Sequence, residues 1–508
     1  MIVIVDFGSQ TTHLIGRRIR EMGVNTEIVE PEKAIAALSQ YKPQGIIFSG
    51  GPASVYAQGS PTIDPAIFNG GTPILGICYG QQLMSHLLEG HVKPGKKKEY
   101  GPAQLMVKSG ALFEGLPSKE FTVWMSHGDE VQSAPKGFKT VATTKTIPHA
   151  AVENASKKIY GIQFHPEVVH TQFGEQILAN FLSICGAQTK KRVIDAEFVS
   201  DIVADIKDSI PEKDNAVCAL SGGVDSSVAA LLVHRAIGKR LTCVYVDSGL
   251  MRKGETNELE SVFKNHFHMN VKIVHAKDLF MKRLKGITDP ERKRKIIGKT
   301  FIDVLEKEAK ILKASFLVQG TIYPDVIESA GTKHSQNIKS HHNVGGLPER
   351  MKLALVEPLR NFYKDEVRSI GTVLGLPVTI TKRQPFPGPG LAVRIVGAVD
   401  EYKVGILQEA DAVVREEVKV AGLEHAIWQS FAVFTGIKTT GVRGDERAYG
   451  ETIAVRLIEA TDAMSAHWAR VPYELLETIS TRIVTEIPAV NRVVYDITTK
   501  PPATMEWE

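Results

Sequence analysis

Cys78 stands in Gly76-Ile77-Cys78-Tyr79-Gly80, between the apolar run Pro73-Ile74-Leu75 and the helix-like QQLMSHLL. Glycines two residues before and two after a nucleophile permit a cramped strand-to-helix turn that lifts its side chain clear of a sheet. The N-terminus of a following helix favours the thiolate, which is the attacking form. A thiolate also needs a proton partner. His165 in Phe164-His165-Pro166-Glu167 supplies an imidazole, with a carboxylate two residues on to orient the ring and stabilise its cation. Taken singly, Cys78 reads more readily as a small buried apolar residue, and His165 as a loop histidine. The two glycines, the sheet context and the His-x-Glu spacing together favour nucleophilic catalysis. Zinc fares worse, because His266-x-His268 and His341-His342 have no acidic or thiol ligands nearby.

A second constellation is Ser221-Gly222-Gly223-Val224-Asp225-Ser226-Ser227, after the strand-like AVCAL and opening the helix-like VAALLVHRA. Adjacent glycines let backbone N–H groups converge on an anion, and a helix N-terminus adds partial positive charge. Ser226 and Ser227 add hydroxyl donors, and Asp225 could hold a magnesium ion on bound phosphates. No lysine follows the second glycine as in G-x-x-x-x-G-K-[ST], and the spacing is not G-x-G-x-x-G. The next strand, LTCVYVDSGLMR, ends in Asp247-Ser248-Gly249, where an adenosine could lie across the switch point of a sheet. Lys382 and Arg383 could compensate pyrophosphate charge, although paired basic residues commonly face solvent. The run Lys282–Lys299 is rich in basic residues, but no aromatic side chains are interleaved for base stacking. A solvated helix face is expected there.

These motifs need sheets to carry them. IVIVD, GIIFSGG, PILGICYG and YGIQFHPE read as short strands, with helices over TTHLIGRRIREMG and QQLMSHLLEG. The strand–loop–helix logic repeats from NAVCALSGG to ASFLVQGTIYPDVIES, and PFPGPG at 385–390 interrupts any helix or ladder. Beyond it come a long helix (VDEYKVGILQEADAVVREEV), strand-like AVFTG and IAVRLIE, and a closing strand RVVYDITT. The expected fold is two open, mostly parallel-sheet α/β domains, 1–186 and 187–384, followed by a smaller α+β domain, 385–508. The 508 residues, 43% hydrophobic and 23% charged, exclude a disordered or fibrous chain. A net charge of +4 is too small to argue for nucleic-acid or membrane-surface partners. The four cysteines, Cys78, Cys185, Cys218 and Cys243, form no C-x-x-C pair, so a disulfide scaffold is not expected. MIVIVDFGSQ has no basic flank before its apolar run, and no stretch of about 18 apolar residues occurs. A cytoplasmic protein is expected.

GICYGQQ with HPE resembles the class I (triad) glutamine amidotransferases. That resemblance implies Cys78 as nucleophile on a glutamine carboxamide, His165 as base and then acid, and Glu167 as the group orienting His165. It further implies oxyanion donors at the backbone of Gly51 and Tyr79, and substrate glutamine held by Gln82, His127 and Asp129. SGGVDSS resembles the loop of the ATP pyrophosphatases, which cleave ATP between its α and β phosphates. The tail DITTKPPATMEWE, with QGTIYPDVIES and PFPGPGLAVR, makes the whole chain similar to the glutamine-hydrolysing GMP synthetases. This resemblance implies ATP with Mg2+, xanthosine monophosphate (XMP) as acceptor, and GMP as product. Arg492 and Lys500 would meet the XMP phosphate. Glu506 would accept from the purine or ribose, with Arg252, Gln429 and Asp445 as further contacts. Asp325, Glu328, Lys339 and His341 match active-site and lid segments in which Gly345 and Gly346 would allow movement. A homodimer through the C-terminal domain is implied. The tail is expected to dock through a buried Trp507.

Overall fold

The computed structural model describes residues 1–9, 11–190, 192–330, 353–443, 445–460 and 466–508. It divides into two compact units, Met1–Val193 and Ile194 onward. In the first, β1 (Ile2–Val5), β2 (Thr26–Val29), β3 (Gly45–Phe48), β4 (Ile74–Ile77), β5 (His91–Val107), β6 (Glu120–Ser133), β7 (Lys139–Thr143), β8 (Ala151–Asn154) and β9 (Ile159–Ile162) form one nine-stranded sheet. Its order is β2-β1-β3-β4-β9-β8-β7-β5-β6. The first five strands run parallel, and the rest join antiparallel. β1, β3, β4 and β9 are buried at every residue. Both faces of such strands are covered, so they read as continuous apolar runs and the sequence shows them plainly.

The β5–β6 ribbon is a different matter. β5 carries Pro94, Gly95, Gly101 and Pro102, and its apolar pattern is broken. Its pairing partner β6 alternates buried and less buried positions along most of its length. The sequence reading did not anticipate this antiparallel part.

In the second unit β10 (Ala216–Ala219), β11 (Leu241–Asp247), β12 (Val271–His275), β13 (Phe316–Val318) and β14 (Ala354–Val356) make an all-parallel sheet of order β12-β11-β10-β13-β14. From β10 the chain builds outward on one side and then crosses to the other, so the loop after β10 sits at the switch point. β15 (Gln429–Arg443), β16 (Glu446–Glu459) and β17 (His467–Trp468) pair antiparallel, and β18 (Val490–Tyr495) adds parallel to β16. The helix Glu401–Val420, N-capped by Asp400, packs here. One hydrophobic core joins Val217, Val244 and Leu317 to Leu391, Leu407 and Phe434, and so continues across the Pro/Gly segment. No helix among the described residues is long and apolar enough to cross a membrane.

Two expectations need correcting. The basic run is not simply a solvated face: Lys293 is fully buried in the helix Pro290–Ile311, with Nζ donating to the carbonyls of Ile395 at 2.7 Å and Ala392 at 3.3 Å and to the Glu508 carboxylate. Trp507 is 40% exposed, so the tail docks through its carboxylates instead of through a buried indole. Cys218 and Cys243, remote in sequence, face each other in register on β10 and β11. The hydrogen bond from Cys218, together with burial, pushes the Cys243 thiol well up.

Backbone closeness dictates the turn after β4. A Cβ on Gly80 would lie 2.4 Å from the Phe48 carbonyl oxygen, whereas one on Gly298, in the helix Pro290–Ile311, would meet open space. We expect Gly80→Ala to destabilise the first unit by about 1–3 kcal/mol, read as a lower thermal midpoint. Gly298→Ala should be neutral or mildly stabilising.

Candidate active sites

Cys78 follows β4 and His165 follows β9, two adjacent parallel strands, and the Cys78 N–H donates to the Ile162 carbonyl at 2.8 Å. Cys78 has φ +53°, a left-handed conformation that a non-glycine residue holds only at a cost. A Cβ on Gly76 would stand 2.7 Å from the Gly80 carbonyl carbon, so both flanking positions admit only glycine. The next residue, Tyr79, opens the helix Tyr79–Leu87. The 3%-exposed Cys78 Sγ donates to the Ser126 carbonyl at 3.4 Å and receives Gln163 Nε2 at 3.5 Å.

His165 is anchored by its backbone N–H to the Trp124 carbonyl at 3.0 Å and by Thr171 Oγ1, which donates to the His165 carbonyl at 2.6 Å. Its Nδ1 lies 2.7 Å from Oε1 of the buried Glu167. Burial alone would lower the His165 pKa, but the Glu167 carboxylate and the adjacent Cys78 outweigh it and raise it to about 10. With Nδ1 committed to Glu167, proton exchange with the thiol falls to Nε2. A protonated imidazole beside a strained thiol is an arrangement suited to forming and using a thiolate.

Gly51 runs beside Tyr79, with a Cβ position 3.3 Å from Tyr79 Cγ and 2.6 Å from the Phe7 carbonyl oxygen. Gln82, His127 and Asp129 also come together. Gln82 Nε2 donates to the Asp129 carbonyl at 2.9 Å and to Gln163 Oε1 at 3.2 Å, and His127 Nδ1 lies 3.0 Å from the same carbonyl. Tyr56 OH donates to Asp129 Oδ1 at 2.7 Å. Gln163, Thr171 and Tyr56 were missed from sequence. Gln163, a buried amide inside the apolar IQF, left the one local signal.

In the second unit Gly222 has φ +77° and the helix Val224–Ile237 begins just after Gly223. Ser221 and Ser226 hydroxyls are 2.9 Å apart, and Ser226 and Ser227 donate to the Gly223 carbonyl at 3.1 and 2.8 Å. Arg383 Nη1 donates to the Gly222 carbonyl at 2.9 Å and Nη2 pairs with Glu255 at 2.8 Å, while Lys382 is exposed. Lys364, unremarked in the sequence, pairs with Asp225 Oδ2; the other oxygen, Oδ1, is buried without a hydrogen-bond partner. Asp247 accepts from the Gly249 N–H at 3.0 Å, on the wall of a cavity of about 360 Å³ that Arg252, Lys277 and Gln408 also line.

A third cluster gathers Arg252, Gln429 and Glu506. The fully buried Arg394 binds Glu506 by Nε at 2.9 Å and Nη2 at 3.1 Å, and Gln429 Nε2 donates to Glu506 Oε1 at 2.7 Å. Arg252 lies 4.4 Å over the Phe386 ring, and burial lowers its pKa to about 10. Arg492, on β18, donates to Thr439 at 3.2 Å, and Lys500 pairs by backbone with Ala466. Asp445 is exposed in the turn between β15 and β16. Asp325 accepts from the Ile322 N–H at 3.1 Å, and Glu328 lies on the helix Tyr323–Ala330. Lys339, His341, Gly345 and Gly346 lie outside the described residues.

Because His165 is raised above its unfolded value, the coupling stabilises the fold fully below pH 6.5 and is lost as pH rises through about 10. Glu167→Gln should lower the His165 pKa, measured by NMR titration of labelled imidazole. The stability gap between wild type and variant should close over that pH window.

Residues 3–185 match the family Glutamine amidotransferase class-I, and residues 416–507 match GMP synthase C terminal domain. Proteins named GMP synthase [glutamine-hydrolyzing] align over the full length. That of Clostridium botulinum (strain Hall) is 53% identical, covering 100% of this chain and 99% of its own. Those of Clostridium perfringens and Clostridium acetobutylicum are 52% and 54% identical over the same shares. A cysteine elbow beside a His–Glu pair, a glycine-rich loop opening a helix, and end-to-end identity above one half leave one assignment: the chain belongs to the glutamine-hydrolysing GMP synthase family.

Proposed function

We infer that this chain converts XMP to GMP, using glutamine as nitrogen donor and ATP as activator. Two constellations in one polypeptide support the reading: the strained Cys78 with its His165–Glu167 pair, and the Ser221–Ser227 loop at a sheet switch point. The Cys78 thiolate attacks the glutamine carboxamide carbon, and His165 protonates the departing ammonia. The acyl oxyanion is met by the Gly51 and Tyr79 backbone N–H groups. Water then releases glutamate, with His165 as base. Gln82, His127 and Asp129 hold the substrate.

In the adenylating half, the Ser221–Ser227 loop, Lys364 and Arg383 bind the ATP phosphates, with Asp247 and Gly249 beside the adenosine. The XMP O2 attacks the α-phosphorus and pyrophosphate leaves. Ammonia then displaces AMP from C2, since adenylation turns a poor leaving group into a good one. Magnesium, when bound, would neutralise phosphate charge, and the unpartnered Asp225 Oδ1 fits it. Arg492, Lys500, Glu506, Arg252, Gln429 and Asp445 bind XMP, and Lys339 and His341 belong to a lid. The three-domain division at 186 and 384, a cytoplasmic location and a homodimer are part of the same reading. Exposed Val442 and Tyr449, on one face of the β15–β16 ribbon, are apolar positions for such a dimer to cover.

The deciding assay supplies ATP, magnesium, XMP and glutamine to the purified chain. AMP and GMP should form together; ADP, or no guanine nucleotide, would sink the reading. Cys78→Ala should abolish glutamine-dependent synthesis and leave ammonium-dependent synthesis largely intact. Lys364→Ala should raise KM for ATP by about tenfold, the loss of one charge-assisted phosphate contact.

A further inference from the structure

The tail that carries Lys500 and Glu506 is folded around one guanidinium. Arg456 lies on β16 between Val455 and Leu457, in register with Phe431 of β15, and is 1% exposed. Its Nη1 donates to Asp496 Oδ2 at 2.6 Å and to the Thr498 carbonyl at 3.0 Å. On the returning limb Nη2 donates to the Thr504 carbonyl at 2.9 Å and Nε to the Met505 carbonyl at 3.1 Å. One side chain thus ties residues 496–498 to residues 504–505. Lys500 sits in the turn between the limbs, fixed by its backbone pairing with Ala466 at 2.8 and 3.0 Å. Glu506 follows the second limb directly and passes to Arg394 and Gln429.

Burying an arginine on the strand face shared with Phe431, Ala454 and Ile458 is costly, and an apolar residue of similar volume would fill the place with less desolvation. What an apolar residue cannot do is satisfy three main-chain carbonyls and a carboxylate at once. Those acceptors belong to a segment with no strand or helix of its own to hold its shape. We propose that Arg456 is a positioning residue for the acceptor nucleotide: it sets the distance between Lys500 and Glu506 without touching XMP. The inference rests on the reading of those two residues as XMP contacts.

The test uses the full chain with ammonium as nitrogen donor, so that glutamine chemistry does not enter. Arg456→Lys and Arg456→Met should each raise KM for XMP by about tenfold or more, with kcat at saturating XMP and KM for ATP within about twofold of wild type. Asp496→Asn keeps the guanidinium and loosens one limb, and should give a smaller rise in KM for XMP. Lys500→Ala and Glu506→Gln serve as references. If the references raise KM for XMP and the Arg456 and Asp496 variants do not, Arg456 is only structural and the proposal falls. A loss of kcat or a rise in KM for ATP of the same size would overturn it equally. If Arg456 variants fail to fold, an unchanged KM for XMP in Asp496→Asn overturns it alone. If the references leave KM for XMP unchanged, the underlying reading of Lys500 and Glu506 is what has failed.

Discussion

A charge taken out of water must be met by another charge or by several hydrogen bonds, and this molecule buries several charges in that way. Glu167 lies buried against His165, and Arg394 is fully buried against Glu506 and Asp411. Lys293 closes on Glu508, and Arg456 on Asp496 and three carbonyls. Each grouping costs desolvation, and removing one member would strand the other. The groups are therefore held in one geometry. In the first unit that geometry fixes which imidazole nitrogen serves the thiol. In the second it fixes the course of the last dozen residues.

Backbone proximity supplies the complementary constraint. Cys78 can project from its turn because Gly76 and Gly80 let β4, the following helix and Phe48 approach within distances that no Cβ allows. Gly320 does the same for the Ser221–Ser227 loop, where a Cβ would lie 2.7 Å from the Ser226 nitrogen. That close contact seats the loop of 319–322 against the start of the helix Val224–Ile237, so that the loop's shape is supported from β13 as well as β10. Both places set a helix N-terminus and a cramped turn at the end of a parallel strand, the arrangement that favours negative charge there.

The chemistry was legible in the amino-acid order to the extent that it is local. GICYG and SGGVDSS each put their turn, helix start and reactive groups within seven residues or fewer, HPE sets its imidazole two residues from its carboxylate, and the parallel strands beside the first two are apolar runs. β5 was hidden because prolines and glycines interrupt its alternation, and its long pairing with β6 depends on a partner chosen across the fold.

Lys364 and Arg456 carry no neighbouring signature at all, and their partners lie tens of residues away. The same distance explains Lys293: within KRLKGITDPERKRKIIGK it is one cation among many, and only folding selects it for burial against Glu508. Trp507 is the converse, an apolar-looking side chain left 40% exposed because the carboxylates on either side of it found cations first. Reactive type and secondary structure follow from short-range sterics and periodicity, which order alone encodes. Which charges are buried together follows from packing, which exists only when the whole chain has closed.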